Sequence, residues 1–209
     1  MKAYVINLKK RPDRLERFMS NIGNFVPSLS LDVIEGVDGH EIDPYDAFHK
    51  KNVNPWNYKH LSDRALRGVI GCCRSHMKAY KNIIEQDIPN ALIFEDDAHP
   101  SVDKLELDSH LYNIVLPEKF SVIYLSKYRK SAVNNKDFSL EERNNARETT
   151  EAYIISNEFA QLIYNYCKTN IGAIDAHLDQ CYQMNKDYKS YSLKSELFHQ
   201  FNRQDSDIR

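Results

Sequence analysis

Short apolar runs alternate with amphipathic segments along the chain, and this order of elements is typical of an α/β fold. Residues 4–8 form an apolar run that predicts a buried first strand. Pro12 follows where the first turn of a helix tolerates proline, and the apolar residues of segment 15–22 recur at helical spacing. Residues 31–35 predict a second strand, which ends at the turn signal 36–39. The chain therefore opens with a strand, a helix and a second strand.

The later elements are predicted from the same two signals, apolar runs for strands and helical spacing of apolar residues for helices. They are a helix from Gly71 to about residue 88, a strand at 91–94, a weaker helix at 103–117, a strand at 122–125, a strand at 152–155, a helix from Ser156 or Asn157, and a last helix near Asp175. Residues 129–148 predict a charged, asparagine-rich loop. Residues 40–67 predict a long, partly ordered excursion, and the tail from about residue 195 is predicted to be irregular.

Length and composition indicate one globular domain spanning residues 1–209, since no internal repeat or linker divides the chain. A formal net charge of −2 gives no electrostatic reason to expect nucleic acid as a partner. No apolar run approaches the ~20 residues of a transmembrane helix. Adjacent Cys72 and Cys73 make a poor disulfide framework, and the chain has no N-glycosylation sequon. We therefore expect a cytoplasmic setting, including the inner face of a membrane or a virus-infected cell.

The most informative segment is 91–97, an apolar run that ends in the carboxylates Glu95, Asp96 and Asp97. Three adjacent acids repel one another unless a cation or a shared proton relieves the repulsion. Oxygen ligands suit a hard divalent ion that also holds a phosphate group. We predict that Asp97 coordinates such an ion, that Glu95 faces the ribose or a metal-bound water, and that Asp96 supports the site through backbone or arginine contacts. The competing interpretation is an acidic loop in free solvent.

The first predicted strand ends in Asn7 and is followed by the cations Arg11 and Arg14. In open α/β sheets, ligands lie outside the carboxyl ends of the strands. An asparagine amide there can pair with a base or ribose, and an arginine can bind a diphosphate through parallel hydrogen bonds. The alternative is a basic first helical turn that makes surface ion pairs, and this cluster alone favours that alternative.

Further candidates lie near predicted helix starts and in the excursion. Ser75 and His76 lie at the start of a predicted helix, where a serine is most often an N-cap. Asp175 and Asp179 share a helix face, and their spacing fits either a general base or an N-cap with a solvated first-turn charge. Trp56 could stack on an acceptor sugar or form a small satellite core. The chain contains no Ser/His/Asp triad order, no P-loop and no Gly-x-Gly-x-x-Gly segment.

Several short motifs, spread nearly end to end, form a specific set through their order and spacing. They are residues 4–8 with Arg11 and Arg14, residues 37–39, Gly71-Cys72 with Ser75-His76, residues 94–97, residues 152–156, Ile174-Asp175 and residues 206–208. Together they resemble the motifs of glycosyltransferase family 25, which includes bacterial lipooligosaccharide galactosyltransferases and collagen hydroxylysine galactosyltransferases.

The resemblance implies a GT-A-like fold, with a mixed central sheet flanked by helices. It also implies a UDP-galactose or UDP-glucose donor, a divalent ion (Mn²⁺ or Mg²⁺), and inversion at the anomeric carbon. The donor-binding residues that it implies are Asn7, Arg11, Arg14, Asp38, Ser75, His76, Asp96 and Ser206. Asp175 falls on the matching position near the reacting sugar. One position departs from the family pattern, because Val69 stands where an acid usually precedes the Gly-Cys pair by two residues.

These features predict an inverting, metal-assisted transfer of a hexose from a UDP-sugar to a hydroxyl of a glycan or of a hydroxylysine-type protein acceptor. Asp175 is the predicted general base, because the charge of the acidic triplet is committed to the metal on the donor side. Two alternatives stay open. One is a carboxylate-based hydrolase, which would use two acids across a sugar cleft. The other, motivated by Val69, is an inactive protein that binds a sugar nucleotide.

Overall fold

The computed structural model describes residues 1–43, 60–127, 137–143 and 149–201. Nine strands and five α-helices lie in these ranges. In chain order they are β1 (Lys2–Asn7), α1 (Pro12–Asn21), β2 (Ser30–Glu35), α2 (Asp63–Glu85), β3 (Asn90–Glu95), β4 (Ala98–Pro100), α3 (Lys104–Tyr112), β5 (Val122–Tyr124), β6 (Leu140–Arg143), β7 (Ala152–Ser156), α4 (Asn157–Cys167), α5 (Ile174–Met184), β8 (Ser190–Leu193) and β9 (Phe198–Gln200). Short 3-10 turns occur at Gly23–Phe25 and Gly39–Glu41.

The central sheet is mixed, as the resemblance implied. Its seven described strands lie in the order β2-β1-β3-β7-β5-β8-β6. Strands β2, β1 and β3 are parallel to their neighbours, whereas β7 runs antiparallel to both β3 and β5. β8 is parallel to β5 and antiparallel to β6. A separate two-stranded sheet pairs β4 with β9 in antiparallel register.

Alternating residues of the central strands face two apolar layers. Tyr4 and Ile93 belong to a core shared with α2, α4 and α5, whereas Val5 and Phe94 belong to a core shared with α1 and α3. Because successive side chains of a strand point to opposite faces, one continuous apolar run serves both layers. This double burial explains why the strands read as unbroken apolar runs in the sequence. Among the described helices, none combines the length and apolar character needed to cross a bilayer.

Three predicted boundaries are wrong. The helix expected from Gly71 begins at Asp63, where the side chain of Ser62 caps it by accepting a hydrogen bond from the backbone N–H of Ala65 (3.2 Å). Residues 63–67 therefore do not belong to an irregular excursion. Strand β6 lies inside the predicted loop 129–148, and β9 lies inside the predicted irregular tail. β6 is a polar edge strand whose acids pair with lysines, a pattern that reads as loop in the sequence.

Candidate functional site

A pocket opens at the carboxyl ends of β1 and β3, bounded by α2 and by the loop that follows β2. Seven of the residues predicted from the sequence line it. They are Arg14, Asp38, Ser75, His76, Glu95, Asp96 and Asp97. This is the edge of the sheet where an α/β fold is expected to bind ligands. Residues from distant parts of the chain, from Ile6 to Gln200, therefore share one cleft.

The loop after β2 packs directly against α2, and two glycines make that contact possible. A Cβ atom at Gly71 would lie 2.8 Å from the carbonyl oxygen of Val37, and one at Gly39 would lie 2.1 Å from the carbonyl oxygen of Arg67. Such distances exclude any side chain unless the backbone moves. Ser75 fixes the same contact, because its hydroxyl accepts a hydrogen bond from the N–H of Val37 (2.8 Å) and donates to the carbonyl of Gly71 (2.7 Å).

The alternative interpretation of Ser75 as an N-cap is therefore wrong. Both Ser75 and His76 lie in the middle of the 23-residue helix α2 rather than at its start. His76 is 1% exposed and joins a buried hydrogen-bonded chain. Its Nδ1 lies 2.7 Å from the hydroxyl of Tyr153, which lies 2.7 Å from the hydroxyl of Tyr80. The other ring nitrogen, Nε2, lies 3.3 Å from Oε1 of Glu95. The imidazole thus connects the core to the acidic end of β3.

Glu95 is held in place from two sides. Besides the contact with His76, its Oε1 accepts a hydrogen bond from the hydroxyl of Thr150 (2.6 Å). Burial acts to raise the pKa of Glu95, but the hydrogen bonds from His76 and Thr150 and the charge of Arg14 outweigh burial and leave the pKa lowered. Glu95 is therefore ionised at neutral pH and presents a fixed negative charge to the pocket.

Asp96 and Asp97 follow β3 in a turn and face one arginine. Nη2 of Arg14 lies 2.5 Å from Oδ1 of Asp96 and 3.0 Å from Oδ2 of Asp97. Burial and the neighbouring acids nevertheless raise the pKa of Asp96 to about 7 and that of Asp97 to about 6, because Arg14 offsets only part of these effects. Gln200 donates a hydrogen bond to Oδ2 of Asp97 (2.9 Å). The three acids are therefore not a solvated loop, since Asp96 and Asp97 are 6% and 5% exposed.

The residues of this pocket fit a hard divalent ion. Oδ1 of Asp97 is buried and has no hydrogen-bond partner among the described residues. A buried carboxylate oxygen without a donor is unfavourable alone and becomes favourable as a metal ligand. Glu95 supplies a second carboxylate two residues away. Its ligand oxygen also lies within 4.8 Å of ligand atoms of Cys72 and His76, so the acidic end of β3 offers more than one donor set.

Asp38 lies on the opposite wall of the pocket and is paired. Its carboxylate lies 2.6 Å from Nζ of Lys10, and its Oδ1 accepts a hydrogen bond from the N–H of His40 (3.0 Å). Burial acts to raise the pKa of Asp38, but these two partners outweigh burial and leave the pKa lowered. The side chain is thus an ionised hydrogen-bond acceptor at neutral pH, which is the character that a ribose hydroxyl requires.

Three predicted residues do not line the pocket. The amide of Asn7 donates to the carbonyl of Leu8 (2.9 Å), and the guanidinium of Arg11 pairs with Asp13 (3.0 Å). Asp175 is exposed in the first turn of α5. The alternative interpretation of Asp175 as an N-cap is wrong, because Ala173 occupies the N-cap position and α5 begins at Ile174. Trp56 and Ser206 lie outside the described residues.

The charge of Asp175 nevertheless acts on Cys72, a residue that lines the pocket. Burial raises the pKa of Cys72 well above its usual value, and the charges of Glu95 and Asp175 add to that effect. Cys72 lines the pocket, on the same helix as His76. Asp175 is therefore an exposed carboxylate beside the pocket rather than part of its wall.

Sequence reasoning missed several residues of the site. Gln200 lies in the segment that the sequence predicts to be an irregular tail, and no local sequence pattern indicates that it belongs to the site. Glu151 is 6% exposed, and burial together with the charge of Glu95 raises its pKa to about 7. A usable signal existed for Glu151, since it is an acid directly beside the apolar run 152–155, as the triplet is beside 91–94. Thr150, the hydroxyl donor to Glu95, directly precedes it.

Comparison with protein-family models decides the family. The model for glycosyltransferase family 25 (LPS biosynthesis protein) matches residues 1–181. The chain belongs to glycosyltransferase family 25. The resemblance inferred from the motifs is therefore confirmed.

Curated relatives of this family 25 chain include proteins named as galactosyltransferases and proteins named as inactive family members. Procollagen galactosyltransferase 2 of Mus musculus is 29% identical over 132 residues, which cover 53% of this chain and 20% of the relative. Inactive glycosyltransferase 25 family member 3 of Homo sapiens is 29% identical over 130 residues, which cover 60% of this chain and 21% of the relative. The chain spans about a fifth of the length of these curated relatives.

Among solved structures, a mutant of the Drosophila β1,4-galactosyltransferase 7, in complex with manganese, UDP-Gal and xylobiose, matches the fold of this chain. The TM-score is 0.54 at 8% sequence identity, and the match covers 100% of this chain and 74% of that structure. Together with the seven-stranded mixed sheet, this match confirms the predicted GT-A fold.

Proposed function

We propose that this family 25 chain transfers a hexose, galactose or glucose, from a UDP-sugar to a hydroxyl of a glycan or of a hydroxylysine-type protein acceptor, with inversion and with Mn²⁺ or Mg²⁺. The observation that carries this proposal is the pocket itself. It gathers Arg14, Asp38, Glu95, Asp96 and Asp97 at the ligand-binding edge of the sheet. The mouse relative named as a galactosyltransferase supports the choice of galactose.

The acidic end of β3 would hold the metal. Asp97 and Glu95 would be its protein ligands, and a bound ion neutralises the charge that develops on the leaving diphosphate. Arg14 lies against the carboxylates of Asp96 and Asp97 and would keep them in place before the ion and donor arrive. The ionised carboxylate of Asp38 would accept hydrogen bonds from the ribose, and Ser75 would act indirectly by holding the loop that carries Asp38.

A general base must lie on the side of the sugar opposite the diphosphate. The acids of the triplet are occupied by Arg14, Gln200, His76 and Thr150. Asp175 is exposed beside the pocket and close enough to affect the pKa of Cys72. We assign to Asp175 the removal of the acceptor hydroxyl proton, which would leave the oxygen free to attack the anomeric carbon.

Calorimetric titration of UDP, with and without Mn²⁺, tests the donor site. We expect Mn²⁺ to increase UDP affinity for the wild type and to have little effect on Asp97→Ala. Asp32→Ala is the matched control, because Asp32 lies on β2 and does not line the pocket. Equal UDP affinity in both conditions for the wild type would refute the metal claim.

The second candidate is an inactive protein that binds a sugar nucleotide. Val69, half-buried on α2, stands where the family usually has an acid, and several curated relatives are described as inactive. An array of glycans and hydroxylysine peptides, offered with several UDP-sugars, separates the candidates. Transfer to any acceptor supports the transferase, UDP-hexose binding without turnover supports the inactive protein, and release of free sugar without transfer supports a hydrolase.

A further inference from the structure

A second cluster of potential metal ligands lies in the helical layer. Cys73 is on α2, Cys167 is the last residue of α4, and His177 is on α5. One ligand atom from each of these side chains lies within 4.8 Å of the others. The two thiols are 0% exposed and the imidazole is 6% exposed, and none of the three lines the pocket.

The imidazole of His177 carries an unused ring nitrogen. Its Nδ1 lies 3.3 Å from Oε1 of Gln180, but its Nε2 is buried without a hydrogen-bond partner among the described residues. Imidazole nitrogen is the commonest metal ligand among protein side chains. An unsatisfied buried nitrogen costs stability unless something occupies it.

We propose that Cys73, Cys167 and His177 bind one Zn²⁺ ion, which ties α2, α4 and α5 together. Thiolate and imidazole ligands are typical of structural zinc, and they differ from the carboxylates that a hard ion prefers. Binding would release the thiol proton of each cysteine ligand to solvent. The thiolates of Cys73 and Cys167 would balance the charge of the ion, and a third cysteine ligand would leave the site with one net negative charge.

Structural zinc is almost always four-coordinate, and a further thiol is at hand. Cys181 is buried, lies one helical turn after His177 on the same face of α5, and contributes to raising the pKa of Cys167. Its ligand atom is not among those that lie within 4.8 Å of one another, so its side chain would have to turn toward the cluster to supply the fourth ligand. The ordinary interpretation of these cysteines is that of small apolar core residues. That interpretation leaves the buried Nε2 of His177 without a role.

The wild-type protein gives the primary test. After refolding with zinc and gel filtration into metal-free buffer, elemental mass spectrometry should find about one zinc per chain. Cobalt in place of zinc should give the strong visible bands of a tetrahedral ion and the near-ultraviolet absorption of thiolate-to-cobalt charge transfer. Absence of stoichiometric zinc, or a Cys73–Cys167 disulfide in protein purified under reducing conditions, would overturn the proposal.

Variants locate the ion. His177→Gln should weaken zinc binding by more than the about 10–100-fold that is typical of losing an outer-shell partner. Cys72→Ser is the matched control, because this neighbouring thiol belongs to the pocket and should leave the zinc content unchanged. Asp97→Ala should also retain zinc, which separates this site from the proposed donor site. Zinc lost from Cys72→Ser but kept by His177→Gln would place the ion in the pocket and refute the proposal.

Discussion

Nη2 of Arg14 lies 2.5 Å from Oδ1 of Asp96, and each of these side chains is 7% exposed. The same nitrogen lies 3.0 Å from Asp97, so one guanidinium faces two buried carboxylates. The acids at the end of β3 therefore have a counter-charge built into the fold. The pocket can keep its shape without an ion, and an ion that binds Asp97 must share that carboxylate with Arg14.

Removing this arginine should destabilise the protein. Arg14→Ala leaves two buried carboxyl groups without their cation, and we expect a loss of about 3–5 kcal/mol in the free energy of unfolding at pH 8, measured by urea titration. Arg11→Ala is the control, because Arg11 pairs with an Asp13 side chain that is 60% exposed, and the loss of such a solvent-screened pair should change the free energy of unfolding little. Equal losses for the two variants would contradict a structural role for Arg14.

Strands β1, β2, β3, β5 and β7 and the acidic triplet could be predicted because their signals are local, whereas β4, β6, β8 and β9 could not. Each central strand is buried on both faces, so it reads as a continuous apolar run. The carboxyl-end rule for parallel strands then brings the end of β1 close to the end of β3 without any knowledge of side chains. That is why Arg14 and the triplet could both be assigned to one site.

The rest depends on contacts between distant segments. Gly68 and Gly71 interrupt the apolar pattern of α2, so the sequence does not indicate the first two turns of that helix. Gly71 is required by packing, because a side chain there would collide with the loop at Val37. β9 exists because it pairs with β4, about 100 residues earlier, and only that pairing brings Gln200 to Asp97. Local periodicity carries no information about either contact.

The close approach of α2 to the loop after β2 gives a second prediction. In Gly71→Ala the new methyl group meets backbone atoms of Val37 and Gly39 at 2.8 Å, so the loop must move. We expect a loss of about 1–3 kcal/mol in the free energy of unfolding, together with weaker UDP binding because Asp38 moves with the loop.

Gly23→Ala is the matched control for that experiment. Its Cβ would meet the flexible side chain of Met19 at 2.5 Å, which can move aside, and the side chain of Leu31 at 3.4 Å. Unfolding by urea and UDP titration should both stay close to wild type. Wild-type UDP affinity in Gly71→Ala would show that the loop does not position the donor.

The hydrogen-bonded chain behind His76 gives a third prediction. Tyr153→Phe removes the hydroxyl that lies 2.7 Å from both Tyr80 and His76, and leaves two buried polar groups unpaired. We expect a loss of about 1–3 kcal/mol in the free energy of unfolding. Tyr4→Phe is the control, because the hydroxyl of Tyr4 is buried without a hydrogen-bond partner among the described residues, so its removal should be neutral or stabilising. The opposite ranking of the two variants would refute this role for Tyr153.

The raised pKa of Glu151 predicts that the free energy of unfolding depends on pH. Its pKa is raised from 4.5 to about 7, so the folded protein holds a proton that the unfolded chain releases as pH rises through about 4.5. The free energy of unfolding should therefore fall between about pH 4.5 and pH 7 and then level off. At about 1.4 kcal/mol per pKa unit, the loss approaches about 3 kcal/mol by pH 8.

Glu151→Gln removes this ionisation while keeping the size of the side chain. Urea unfolding in the presence of a chelator should show the variant and the wild type nearly equal at pH 4.5, and the variant more stable at pH 8. The acids Asp96 and Asp97 remain in both proteins, so the difference between the two curves isolates Glu151. Parallel curves across this range would contradict the raised pKa.

The last prediction concerns the base. Asp175→Asn keeps the size of the side chain and its acceptor oxygen, which receives the N–H of Ala176 at 2.8 Å, so folding should be unaffected. If Asp175 removes the acceptor proton, turnover should fall by roughly 10²–10⁴-fold. UDP affinity in the presence of Mn²⁺ should be retained, because Asp175 does not line the donor pocket.

Asp179→Asn is the comparator for this measurement, since Asp179 lies one turn further along α5 and is the other acid on that helix. A base must both accept the proton and lie near the acceptor hydroxyl, and only the residue that meets both conditions should show the loss in turnover with binding intact. A fall confined to Asp179→Asn would assign the base to Asp179. A fall in neither variant would remove α5 from the chemistry, and the base would then have to be sought among the acids of the pocket wall.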